Sequence, residues 1–166
     1  AQLSHADLRG VDLSEADCRH ALFQRARLMG AILCFTVLSG ADLAGADCRA
    51  ADFRRAKISD EQLLATASLA DAWLPDGTRV ALLDSIHEEH DLDPALPLRF
   101  VHCPGTVNRV DWRKRDLYGA RLTGTFTTVM FDETVLAAAK LSGTFIECPF
   151  RETQLRRATL SGSFAN

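Results

Sequence analysis

No apolar run in the 166 residues approaches the roughly 20 that a membrane-spanning helix needs, and no charged-then-apolar signal segment opens the chain. A membrane partner is therefore not expected. A glycine-rich phosphate loop, a nucleophile elbow and a cysteine pattern with metal-ligand spacing are also missing, which speaks against catalysis and against a bound cofactor. The five cysteines, Cys18, Cys34, Cys48, Cys103 and Cys148, are odd in number and follow no disulfide spacing. Used as small apolar residues, they point to a reducing, cytoplasmic setting. Nor does one sign of charge dominate: 19 Lys and Arg face 22 Asp and Glu, for a net charge of −3. Residues 1–60 carry eight acids and eight bases, residues 61–100 eight acids against two bases, and residues 101–166 six acids against nine bases.

What is present is a five-residue beat. From Ala1 to Asp60 the quintets read AQLSH, ADLRG, VDLSE, ADCRH, ALFQR, ARLMG, AILCF, TVLSG, ADLAG, ADCRA, ADFRR and AKISD. Each has a small residue first and a larger apolar residue third. Such regularity specifies a solenoid, whose repeats bury their apolar side only by stacking on one another. A stacked coil supplies a surface and a shape but no reactive group.

ADLRG, ADLAG, ADCRA and ADFRR resemble the pentapeptide-repeat family, whose quintet is a small residue, Asp or Asn, Leu or Phe, then two variable positions. The resemblance implies an all-β solenoid, a right-handed quadrilateral β-helix with one quintet per side and twenty residues per coil. First and third residues then face inward, and the others outward. Third positions should stack as Leu3, Phe23, Leu43; Leu8, Leu28, Cys48; Leu13, Leu33, Phe53; and Cys18, Leu38, Ile58, about 4.8 Å apart.

The beat stops at Asp60. Ser59 and Gln62 have capping-box spacing, and Leu63, Leu64, Ala67 and Ala70 suggest a short helix from residue 60 to about 73, ended by Leu74-Pro75-Asp76-Gly77. Leu82, Leu83 and Ile86 suggest a second helical stretch from Val80 to about His90. Residues 61–100 thus read as a helical insertion between two solenoid stretches, 1–60 and 101–166. The second has a period of nineteen: Leu122, Leu141 and Leu160 share it, as do Trp112, Phe131 and Phe150, and Leu117, Leu136 and Leu155. This gives three five-residue sides and one four-residue side per coil, with Gly105, Gly124, Gly143 and Gly162 in the shortened connection, where a tight corner favours a residue without Cβ. A chain that opens inside a quintet with no capping element reads as part of a longer protein.

Candidate sites are few. In His87-Glu88-Glu89-His90 the histidines are three apart, whereas the zinc-protease signature needs four, and only Asp91 or Asp93 could add a ligand, so the cluster reads as a solvated helix end. Arg113, Lys114 and Arg115 are the densest basic run, but Asp111 and Asp116 flank them, and a nucleic-acid partner is not expected. The anomaly lies in the second coil. Leu22, Met29, Ile32, Cys34, Phe35 and Val37 stand at outward positions that hold Asp, Arg and Ser in the coils on either side. A contiguous apolar band on a surface is covered either by the chain's own fuller length, through the helix of residues 60 to 73 or another segment folding back, or by a protein partner, a second copy included. The expected task is a non-catalytic protein-binding scaffold. The alternative that the resemblance carries is a DNA-mimicking protector of DNA gyrase or topoisomerase IV, of the quinolone-resistance type. That task needs a continuous negative surface, which balanced charge over residues 1–60 does not supply.

Overall fold

The computed structural model describes residues 1–83, 85–86, 93 and 95–165, in two compact units, Ala1–Val80 and Ala81–Asn166. In the first, the second residue of each quintet bridges, in parallel, to the residue twenty further on: Gln2 to Leu22, Asp7 to Arg27, Asp12 to Ile32 and Asp17 to Val37, and again from each of these to Asp42, Asp47, Asp52 and Lys57. Four bridges per coil make a four-sided parallel β-solenoid. Its backbone groups are satisfied mainly by the neighbouring coils, as when Leu3 N donates to Leu22 O at 2.8 Å and Leu22 N to Ala1 O at 2.9 Å. A coil alone would leave these groups open, so stacking is obligatory.

The fourth and fifth residues of each quintet turn the corner, and the fifth adopts left-handed φ, as at Arg25 (54°), Phe35 (59°) and Arg55 (60°). Glycine occupies this position at Gly10, Gly30, Gly40 and Gly45, where the conformation costs it nothing. First and third positions of the second and third coils are buried, including Phe23, Leu28, Leu33, Leu38, Leu43, Cys48 and Phe53, except Ile58, which is half-buried. Leu3, Leu8, Leu13 and Cys18, stacked on by one described coil, are half-buried. Thr36 is the inward exception, and its Oγ1 donates to Leu13 O at 2.7 Å.

The capping box forms as expected: Ser59 Oγ accepts from Gln62 N at 3.3 Å, and Gln62 Oε1 accepts from Ser59 N at 3.0 Å. Helix α1 is shorter than its apolar stripe suggests, Asp60–Ala65. Thr66 closes it by donating from Oγ1 to Leu63 O, and the chain then rejoins the solenoid, with Ala67 N on Ala46 O at 2.8 Å and Phe53 N on Trp73 O at 2.9 Å. Ala67 and Ala70 therefore belong to a further partial coil and not to a helix, because backbone pairing with the third coil satisfies more groups than another helical turn would. The second expected helix is also corrected where it is described, since Ser85–Ile86 is strand β1, paired in parallel with Thr106–Asn108 (β3).

The second unit repeats every nineteen residues. β2 (His102–Cys103), β4 (Arg121–Leu122), β6 (Lys140–Leu141) and β8 (Thr159–Leu160) form one parallel sheet. β1, β3, β5 (Thr125–Thr127), β7 (Thr144–Ile146) and β9 (Ser163–Ala165) form the other. Leu122 pairs with Leu141 and Leu141 with Leu160, in the register the period requires. Phe126, Phe145 and the exposed Phe164 stack face to face at 4.7 and 4.8 Å, Phe131 stacks on Phe150 at 4.6 Å, and Trp112 meets Phe131 edge-on at 5.4 Å. Leu160 departs from the expected core. It holds its register but is 48% exposed, since no described coil stacks on its outer side, and Phe150 is half-buried.

The recurrent glycines meet the expectation of a corner with no room for Cβ, and the structure gives the reason. No left-handed φ is found at Gly124, Gly143 or Gly162; a Cβ on each would run into the carbonyl oxygen of the glycine one coil earlier, Gly105, Gly124 and Gly143 in turn. The constraint is backbone stacked on backbone.

Candidate functional site

The outer surface of the first unit is built from one local device. In ADxR quintets the Asp at position two accepts a hydrogen bond from the amide at position four and grips the Arg side chain there. Arg54 N lies 3.0 Å from Asp52 Oδ1, Arg54 Nε 2.9 Å from the same oxygen, and Arg54 Nη2 2.6 Å from Oδ2. Asp7 with Arg9, Asp17 with Arg19 and Asp47 with Arg49 repeat it. The bond from the Arg side chain is the main cause that holds the carboxyls of Asp7, Asp17 and Asp52 down to about 2, from an ordinary 3.8. Asp12 and Asp42 staple the corner amides of Ser14 and Ala44, at 2.9 Å each, with no Arg in the turn; Asp12 also accepts from Ser14 Oγ and Asp42 from Gln24 Nε2, both at 2.6 Å. An aspartate at position two thus fastens the turn and, where Arg follows, cancels its own charge.

The second coil lacks every one of these aspartates. Its position-two residues are Leu22, Arg27, Ile32 and Val37, and among the described residues no side chain accepts from its position-four amides, those of Gln24, Met29, Cys34 and Ser39. The apolar side chains face outward as the quintet register requires. Phe35 is 52% exposed, Ile32 40% and Met29 39%, while Leu22, Cys34 and Val37 are half-buried. Helix α1 does not cover them. Its Gln62 reaches the carbonyls of Leu38 and Ala41, both at 2.7 Å, and the helix sits on the third coil. Among the described residues, the band is therefore left exposed by that helix.

Two features of this surface are not apparent from the quintets of residues 1–60. Trp73 continues the column Asp12, Ile32, Asp52, with the guanidinium of Arg54 at 5.3 Å from its ring and that of Arg79 at 5.8 Å. The guanidinium of Arg55 lies 5.6 Å over the ring of Phe35. Two of the unit's exposed or half-exposed rings thus carry cations against them. The residues that would have announced Trp73 are Ala67-Ser-Leu69-Ala-Asp71 and Ala72-Trp-Leu74-Pro-Asp76, two further quintets displaced from the beat by one residue.

The remaining candidates that are described take places in the repeat framework. All five cysteines are free thiols, and burial pushes Cys48 up to about 12, far from a reactive thiolate. In the basic run, Arg113 pairs with Asp111, Lys114 lies 3.7 Å from Glu133, and Arg115 donates to Leu96 O. His102 is a strand residue of β2. His87, Glu88, Glu89, His90 and Asp91 lie outside the described residues, and among those described no group of His, Cys, Asp and Glu could hold a metal ion. The hollow lined by Ser39, Gly40, Lys57, Ile58, Ser59 and Gln62, about 520 Å³, presents hydroxyls and one lysine but no nucleophile–base pair.

A family model described as pentapeptide repeats matches residues 1–34 and 21–60, in eight copies. Residues 1–60 are pentapeptide repeats. The matched pentapeptide-repeat segment holds the apolar coil entirely. Among solved structures, the chain is similar to HetL, a pentapeptide-repeat protein involved in heterocyst differentiation regulation in the cyanobacterium Nostoc (22% identity, 96% of this chain and 70% of that one, TM-score 0.36). It is also similar to QnrB1, a plasmid-mediated fluoroquinolone resistance protein (14% identity, 94% of this chain and 78% of that one, TM-score 0.27). Superpositions this loose leave the task of the present chain to its own residues. No curated protein matches it.

Proposed function

We propose that the chain is a non-catalytic scaffold of the bacterial cytoplasm whose pentapeptide-repeat unit presents the apolar band Leu22, Met29, Ile32, Phe35 and Val37 to a protein partner. One observation carries this reading: a single coil exchanges the stapled Asp–Arg surface of its neighbours for outward hydrocarbon, and the chain's own helix leaves that hydrocarbon exposed. Apolar area left in water forgoes about 25 cal/mol per Å², which a partner would recover. A second copy of the chain is one such partner, and sedimentation of the purified protein distinguishes self-association from capture of another protein. Immobilised wild-type chain should retain a protein from a lysate of the source organism, or a second copy of itself, that the Phe35→Asp variant does not retain.

The mimicry alternative has less support. A mimic needs uncompensated negative charge, and Asp7, Asp17, Asp47 and Asp52 are each matched by an Arg two residues on. In a supercoiling assay with gyrase and a quinolone, stoichiometric protein should give no protection.

A further inference from the structure

The second unit carries a basic notch that neither the scaffold reading nor the repeat pattern uses. Successive coils place Tyr118, Ala137 and Arg156 in one column and Gly119, Ala138 and Arg157 in the next, as shown by Gly119 N on Ala137 O at 3.0 Å and Ala138 N on Arg156 O at 2.8 Å. The middle coil contributes only two methyl groups. A hollow of about 370 Å³ results, with Ala137 and Ala138 as its floor, Tyr118 on one side, and Arg156, Arg157 and Gln154 on the other. The wall residue Tyr118 is held in place by Phe100, edge-on at 5.6 Å and 83°, and by the Arg99 guanidinium 5.2 Å from its ring.

The charge around this hollow is one-sided. Arg156 follows Gln154, not an aspartate, so it lacks the staple that neutralises Arg9, Arg19, Arg49, Arg54 and Arg113. Among the described residues no carboxylate lies within ion-pair distance of Arg156, Arg157 or Lys140, which stands two residues past Ala138 on the adjoining side. Asp116, in the column of Val135 and Gln154, accepts from Tyr118 N at 2.9 Å and faces Arg99 at 3.6 Å. Two adjacent guanidiniums with forked donors suit a tetrahedral dianion better than a single carboxylate, and a ring wall beside a small floor suits a flat substituent.

We propose that this notch binds a phosphate monoester carried on a flat, nucleoside-sized group, with the phosphate on Arg156 and Arg157 and the ring system between Tyr118 and the alanine floor. Titration calorimetry of the full chain at low ionic strength, with AMP, inorganic phosphate and adenosine as probes, tests it. AMP should bind more tightly than inorganic phosphate, adenosine should give no heat, and added salt should weaken AMP. Arg156→Gln with Arg157→Gln should weaken AMP by about tenfold or more while the circular dichroism spectrum stays unchanged. Ala138→Glu, which keeps both arginines but fills the floor with a carboxylate, should abolish binding. Absence of heat with AMP, or equal affinity of the double variant and the wild type, would overturn the site; equal affinity for AMP and inorganic phosphate would overturn the ring-binding half of it.

Discussion

In the unit Ala1–Val80 the corners are closed by side chains and by left-handed residues, whereas in the unit Ala81–Asn166 the shortened corner is closed by glycine stacked directly on glycine. The first arrangement is permissive. Gly10, Gly30 and Ala50 occupy one corner column, and a Cβ at Gly30 would touch nothing, so the sequence there is free to vary. The second is not, because removing one residue from the side brings successive backbones into contact. A twenty-residue coil can therefore place unusual side chains outside, as the second coil does, at little cost to the stack.

The largest expected effect breaks this contrast at its sharpest point. Gly143→Ala should destabilise the second unit by more than about 5 kcal/mol, since its Cβ would collide with the backbone carbonyl of Gly124, which has no room to move. Gly30→Ala should cost about 1 kcal/mol, the left-handed conformation being its only penalty. Chemical denaturation of the two variants compares them directly; equal losses would show that φ, not backbone approach, governs both sites. Next comes the core: Phe23→Ala should cost about 3–5 kcal/mol through lost transfer energy and a cavity between Leu3 and Leu43, and an unchanged melting temperature would contradict the stacking.

A smaller effect separates the stapled coils from the unstapled one. Asp7, Asp17 and Asp52 titrate near 2 when folded and near 3.8 when free. A depressed carboxylate adds stability above the unfolded value and loses it as pH falls, so their contribution should be full above about pH 4 and gone by about pH 2. These groups lie at the surface, where solvent screening keeps the total small. The triple variant Asp7→Asn, Asp17→Asn, Asp52→Asn should lower the melting temperature at pH 7 and flatten its decline between about pH 4 and pH 2; an unaltered acid limb would show that the staples contribute nothing.

Much of this architecture is legible in the sequence because inward and outward positions obey a strict period. The register of Leu122, Leu141 and Leu160 follows from spacing alone, and that of Leu3, Phe23 and Leu43 from spacing together with the four quintets per coil that the resemblance to the pentapeptide-repeat family implies. Three things do not. The quintets at Ala67 and Ala72 were obscured because α1 shifts the beat by one residue, and Leu63, Leu64, Ala67 and Ala70 fit a helical stripe equally well. The exposure of Leu160 depends on how many coils flank it, which a period does not specify. The reason the second unit's tight corner needs a residue without Cβ is not visible either, because a glycine required for φ and one required for close approach look the same in a sequence. At the candidate surface, Leu22, Met29, Ile32, Phe35 and Val37 are visible as exceptions to the quintet, whereas the cations over Phe35 and Trp73 come from Arg55 one coil on and from Arg54 and Arg79 on either side of α1 and its following turn.

The most direct test of the central claim is Phe35→Asp, measured at once for thermal stability and for association. Loss of its contact with Arg55 should shift stability by no more than about 1 kcal/mol, since the ring is half in water. The account predicts a fold that melts as the wild type does and a chain that no longer retains its protein partner or a second copy. Retained association at wild-type strength, with the fold intact, would contradict it.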